Sequence, residues 1–358
     1  MNHRTEFQSN NVDLQNIVNY ANTKIDEQTD LIKRIKIELG LMMVGRLPTE
    51  WTQSNITSGT FNDVYYANGL WVACSTTGLY YSTDGKAWIQ SNVTTGNFKC
   101  VRNANGIWVA CGPYTSAKIW YSTDGMNWTQ SSADKGAFKI CNANGLWVSG
   151  NNGGGLYYST DGITWTQSNV TSGSFYDIYN ANGLWVAGNN GGGLYYSTDG
   201  ITWTQNNVAS SYFNFVYNAN DIWVTGGSNT GLYYSTDGKN WTQSNVTSGS
   251  FYSASSSNGL WFADGNDGFY HSTDGMSWVL SNTDFVYKAN FVYNTNGLWT
   301  VCSDTGLYYS ADGMTWTQSN ITSGIFKFVY CDNNIWITGG SDTGLYYSEG
   351  IPIEIELT

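Results

Sequence analysis

The hydrophobic positions of this chain recur in a fixed order. From Trp51 onward, four short apolar or aromatic runs of the forms WTQS, FxxVY, LWVA and LYYS repeat every 37 to 40 residues, separated by Gly, Asn, Ser and Asp. Short runs bounded by such turn formers predict β-strands. The LWVA phrase places Trp at 71, 108, 147, 185, 223, 261, 299 and 336, which makes eight copies. Four strands per period is the content of one propeller blade. No part of the repeat has a 3.6-residue period, which excludes a helical solenoid, and a β-helix repeat would be shorter or less aromatic. The apolar runs are continuous rather than alternating, as expected of sheets stacked face to face and covered on both sides. The predicted fold class is all-β: an eight-bladed β-propeller over residues 51–348.

A different period governs residues 14–43. Apolar residues advance by alternating steps of four and three through Leu14, Val18, Ala21, Ile25, Ile32, Ile35, Leu39 and Met42, with Gln28 the one polar residue of the seam. That is a heptad pattern with Val18, Ile25, Ile32 and Leu39 at one seam position; a single polar seam residue can fix register and chain number, and Ile at both kinds of seam position favours a trimer. The alternative is an amphipathic helix packed on the propeller. Gly40 and Pro48 bracket its end. Residues 1–13 are then a tail, 14–43 a helical oligomerisation stalk, 44–50 a linker, and 349–358 a C-terminal strand or tail.

Composition narrows the class further. Aromatics make up 16% of residues, with 41 Gly and 3 Pro, which suits short strands on glycine turns. The net charge is −12, and residues 1–50 are nearly balanced, so the rest of the chain carries about −11, most of it in the repeats. Such a surface repels phosphate backbones and anionic lipid, which makes nucleic acid and membranes poor partners. No apolar run reaches spanning length, and MNHRTEFQSNNVDLQ lacks the apolar core of a signal peptide, so a soluble protein not secreted by that route is expected. The cysteines at 74, 100, 111, 141, 302 and 331 form no CxxC pair, and the histidines are only His3 and His271. Buried free thiols are expected, with neither metal, cofactor nor disulfide framework.

The phrase S-T-D-G-x-x-W recurs with Asp at 84, 124, 161, 199, 237, 274 and 312. It resembles the Asp-box of sialidase-like propellers, departing by one residue because Gly follows Asp directly. The resemblance implies that the motif forms the turn between third and fourth strands and that Asp84, Asp124, Asp161, Asp199, Asp237, Asp274 and Asp312 are structural. WTQSN at Trp51 is then a fourth strand without its first three, and LYYS at Leu345 to Ser348 a third strand without its fourth. The two ends can close the ring together. The alternating segment Ile351 to Leu357 competes for that place, and the Trp51 strand is favoured.

Sialidases of the Asp-box class carry an arginine cluster and a Tyr/Glu pair, whereas residues 51–348 hold one arginine, Arg102, and no glutamate. A general glycosidase needs two carboxylates in different environments. Asp264 with Asp267 is one such pair, placed by its sequence in a turn-like loop. Sequons such as Asn169-Val-Thr recur with the repeat. The expectation is therefore a non-enzymatic binding protein. A stalk followed by a repeat-built head resembles the architecture of bacteriophage tail fibres and receptor-binding proteins. That resemblance implies assembly in a bacterial cytoplasm, a virion location, a tail or baseplate protein at the stalk, and host surface glycan or protein at the head. A structural spacer or scaffold propeller is the alternative, and a glycoside hydrolase a lesser one. The repeats vary most between second and third strands, which should share the face opposite the Asp-box turns and offer eight related clefts. The candidate ligand residues there are Tyr114, Asn151, Asn152, Tyr176, Asn189, Asn190, Asn229, Asn266, Asp304 and Asp342, suited to sugar hydroxyls and rings.

Overall fold

The computed structural model of the chain describes residues 24, 48–113, 118–133, 135–208, 211–266, 268–281, 289–295 and 297–349. Two units separate, Arg46–Pro352 and a unit of Met1–Gly45 with Ile353–Thr358. Of the second, only Lys24 is described, helical and exposed. The predicted seam residues Val18, Ile25, Gln28, Ile32, Ile35 and Leu39 therefore lie outside the described residues, as does Ile351 to Leu357.

The first unit is an eight-bladed propeller: eight four-stranded antiparallel sheets, each with its strands in chain order except the last. In blade four the strands are Phe175–Ala181, Leu184–Asn189, Gly193–Ser197 and Thr204–Gln205. First strands of successive blades lie against each other all the way round, that of blade eight, Ile325–Asp332, against that of blade one, Phe61–Ala67. They surround the central axis. Blade eight takes its outer strand from the start of the repeats, where Thr52–Gln53 pairs with Tyr347 and Tyr346. The two ends thus complete one sheet, as the Trp51 alternative requires, and two open edges are removed.

Burial follows position in the blade. Second strands such as Leu70–Ser75 are buried throughout. In the third strands the paired tyrosines, Tyr80 and Tyr81 in blade one, are only half-buried, because these strands approach the rim where neighbouring blades splay apart. The outer strand shrinks to two exposed residues, Ile89–Gln90 in blade one and Thr129–Gln130 in blade two, each behind a buried Trp. First and second strands join through two-residue turns such as Asn68-Gly69, with φ of 53° and 78°. Positive φ at both positions is the type I′ turn, whose twist matches that of the strands it joins.

Blades are also clipped to one another. The Asn of each WTQSN phrase reaches the next blade's Trp: Asn169 Oδ1 accepts from Trp203 N at 2.8 Å while its Nδ2 donates to Trp203 O at 2.9 Å. Asn320 makes the same pair with Trp51 and spans the closure. All six cysteines are free thiols.

Candidate functional site

The two faces of the ring differ in kind. One carries the Asn-Gly turns and the S-T-D-G turns, and there the aspartates are occupied. Asp84 Oδ1 accepts from Ser82 Oγ and from the backbone N–H of Lys86 and Ala87, at 2.8–2.9 Å, and Trp88 Nε1 donates to Gly85 O at 3.1 Å. The carboxylates of Asp124, Asp161, Asp199, Asp237, Asp274 and Asp312 each accept the corresponding backbone bonds. Slight burial works against ionisation, but the donated N–H groups outweigh it and hold these carboxyls below their ordinary range, Asp237 at about 2. A carboxylate bonded in this way holds its turn.

The opposite face gathers the loops between second and third strands with the links that lead into the next blade. Outer-strand glutamines pin these loops: Gln205 Nε2 donates to Gly192 O at 2.7 Å and Gln243 Nε2 to Thr230 O at 3.2 Å. Between blades four and five the loops bound a cleft of about 620 Å3, lined by Tyr176, Asn190, Ser211, Tyr212, Ser228, Asn229 and Thr230. Asn190 Nδ2 donates to the Tyr176 hydroxyl at 2.5 Å, and Phe138 packs edge-on to the Tyr176 ring at 4.5 Å, so that ring is held from two sides. Tyr212 is 51% exposed. The cleft thus offers two aromatic rings beside hydroxyl and amide groups, a surface that stacks on and hydrogen-bonds to a polyhydroxylated ligand.

Of the predicted ligand residues, Tyr176, Asn190 and Asn229 meet in this cleft. Asn151 and Asn189 do not offer a surface, which corrects their assignment: they are 0% and 4% exposed. Both end second strands, where the side chain turns inward. Asn151 Oδ1 accepts from Ser149 Oγ at 2.6 Å, and the Asn189 amide packs on Gly173 and Gly192. Asn152 is exposed and reaches Pro113 O at 3.1 Å, Asp304 accepts from Asn290 Nδ2 at 2.8 Å, and Asp342 accepts from Thr60 Oγ1 at 3.2 Å. Asn266 is exposed on its own loop, and Tyr114 lies outside the described residues. Asp264 is not in a loop: it is a fully buried strand residue, hydrogen-bonded by Ser253, while Asp267 lies outside the described residues. Among the described residues no group of three His, Cys, Asp or Glu could hold a metal, and no helix is long and apolar enough to cross a membrane.

The sequence reading does not mark Tyr212, because it stands in the link from blade four to blade five, outside the loops between second and third strands. The available signal was departure from the repeat: the corresponding residues are Thr60, Asn97, Gly136, Ser174, Ser250, Lys288 and Ile325, and only one copy carries an aromatic. The aromatic ring that Tyr212 adds to this cleft therefore has no counterpart in the link residues of the other seven blades.

A second cavity, about 340 Å3, lies on the axis and shares Tyr176 with the cleft. Its wall includes Tyr179, Tyr217 and Tyr293, and Lys139 paired with Asp177 at 3.3 Å. The Asp177 charge holds Lys139 well above the usual lysine range. Asp63 and Arg102 form a second ion pair at 2.6 Å on the first strands of blades one and two.

No family model matches the chain, and no curated protein matches it in sequence. Solved structures match its fold. The computationally designed Ika8 protein is 10% identical with a TM-score of 0.69, the match covering 85% of this chain and 99% of that one. BamB from Moraxella catarrhalis is 10% identical with a TM-score of 0.63, covering 85% and 99%. A YCF48 bound to D1 peptide is 16% identical with a TM-score of 0.54, covering 84% and 94%. At these identities the likeness is one of fold, an eight-bladed propeller spanning the repeat region.

Proposed function

We propose that this chain is a non-enzymatic glycan-binding protein, the head of a phage or phage-like tail receptor-binding assembly that attaches to a host cell surface. The observation that carries this reading is the cleft between blades four and five, with the rings of Tyr176 and Tyr212 beside Asn190, Asn229 and three hydroxyl side chains. Its loops are pinned by glutamines, so little ordering is left for the ligand to impose. The S-T-D-G turns fit the Asp-box in which aspartate is structural, and one arginine with no glutamate over residues 51–348 supports binding without hydrolysis. Residues 14–43 would supply the trimeric stalk, docked to a tail or baseplate protein, and three heads would multiply a weak single-site affinity.

The test is a glycan array read with the intact protein. Tyr212→Ala and Asn229→Ala together should lower binding to the preferred glycan by at least about tenfold, as expected for loss of a stacking ring and a hydrogen bond. Equal binding by that variant removes the cleft from the function. Sedimentation of Ile25→Asp/Ile32→Asp should show monomers where the parent is trimeric; a monomeric parent at micromolar concentration defeats the stalk. A propeller that holds a peptide, as the YCF48 bound to D1 peptide does, motivates the second reading, a scaffold that docks a protein segment. That reading gains if no glycan binds.

A further inference from the structure

Basic residues are scarce in the repeats, yet they gather at the axis. Of nine lysines and arginines between residues 51 and 348, three stand on first strands, Arg102, Lys139 and Lys327, and a fourth, Lys99, immediately precedes one. Arg102 and Lys139 are neutralised by Asp63 and Asp177. Lys99 and Lys327 enter no ion pair among the described residues. Both sit nine residues before their blade's second-strand Trp, the position of Tyr176, Asn214 and Tyr252, which line the axial cavity at its loop-face end. Between their two blades stands Asn62, whose Oδ1 accepts from Lys99 Nζ at 3.2 Å while its Nδ2 donates to Phe98 O at 2.7 Å.

Asn62 therefore holds the Lys99 ammonium against blade one, the blade that stands between those of Lys99 and Lys327. Burial pushes both lysines below the usual lysine range, and their mutual repulsion adds to it at Lys327, against a weaker pull from Asp342. Two half-buried like charges at the same register position, two blades apart on one face, are a cost to the fold. A solubilising role does not account for them, since it would put them at the exposed rim. In a repeat region of net charge about −8 they make a local positive field, bounded by the low-dielectric walls of the blades, that draws an anion to the axial opening on this face.

We propose that Lys99 and Lys327, with Asn62 positioning the first, form an anion-binding rim at the loop-face mouth of the axial channel. The ligand class is an acidic sugar bearing a carboxylate or a phosphate ester. The sugar part rests on the proposed glycan function, whereas the anion preference stands on the lysines alone.

The experiment uses the intact protein and titrates glucuronate, glucose 6-phosphate and glucose, followed by saturation-transfer NMR. One or both acids should bind saturably and more tightly than glucose, with affinity falling as salt rises; which acid binds distinguishes carboxylate from phosphate ester. Lys99→Gln/Lys327→Gln should weaken acid binding by about tenfold or more, and Lys99→Arg/Lys327→Arg should retain it, which guards against simple misfolding. Tyr212→Ala should leave acid binding intact while lowering neutral-glycan binding, so the rim and the cleft fail separately. Acids that bind no better than glucose, a glutamine variant that binds them undiminished, or loss of acid binding in Tyr212→Ala alone would each overturn the rim.

Discussion

Aspartate plays opposite parts in this fold according to what surrounds it. In the S-T-D-G turns the carboxylates collect backbone N–H groups and ionise more readily than usual. Their folded-state pKa lies below the unfolded one, so they stabilise the ring above about pH 4 and lose that contribution as pH falls further. Asp264 is the reverse. It stands where other blades have Cys74, Cys111, Cys302 or a glycine, wholly buried; burial pushes its carboxyl up to about 8, and the bond from Ser253 only partly offsets this. The folded state then holds a proton that the unfolded chain releases, and stability falls as pH rises from about 4 to about 8. Together these groups place the stability maximum in the mildly acidic range. Asp264→Asn should raise the denaturation midpoint at pH 8 and flatten its dependence between pH 5 and 8. A midpoint that still falls across that window in the variant would assign the effect to other groups.

The inter-blade clip explains a recurring phrase that the sequence left without a purpose. Asn169-Val-Thr has the form of a sequon, but its Asn spends both polar atoms on the Trp203 backbone, 34 residues away. No single-repeat pattern shows such a partner, because it belongs to the next copy; strand order and turn chemistry were legible because they are local to one copy. The same limit applied to the cleft, where Asn190 and Asn229 were found by loop position and Tyr176, a first-strand residue, by its ring, whereas Asn151 and Asn189, equally polar and next in line, turn into the core. Removing the clip with Asn169→Ala leaves a buried donor and acceptor to be resolvated and should cost about 1–3 kcal/mol in chemical denaturation. Asn320→Ala, at the closure, should cost the same, since a closed ring has no end. Blade three supplies the natural contrast. There Ser132 stands in the Asn position and only accepts, from Trp165 N at 3.2 Å. Ser132→Asn should restore the second bond and stabilise by roughly 0.5–1.5 kcal/mol; no gain would mean that the amide cannot reach the Trp165 carbonyl.

At the scale of the molecule, everything depends on returning the chain to its own beginning. The count of eight second-strand tryptophans and the complementary ends were enough to anticipate closure, because an unpaired outer strand and an unpaired third strand leave edges that only each other can cover. The structure adds what holds the joint: two cross-strand partners, the buried Trp51, and a clip on either side, Asn320 to Trp51 and Asn55 to Trp88. A deletion of Trp51 to Asn55 removes all of these at once. It exposes the edge of Leu345–Ser348, opens the wall against which Trp88 is held, and strips a tryptophan from the core of blade eight. Loss of a buried Trp alone costs about 3–5 kcal/mol, and two clips add to that. The deletion should therefore lower the unfolding free energy of the ring by several kcal/mol, and the freed edge should promote self-association through strand pairing. Denaturant unfolding followed by tryptophan fluorescence, with light scattering on the same samples, reads both effects. Trp128→Ala provides the reference, since it removes an equivalent buried tryptophan from the middle of the ring and leaves the closure whole. A deletion that costs no more than Trp128→Ala and stays monodisperse would show that the ring holds without this strand.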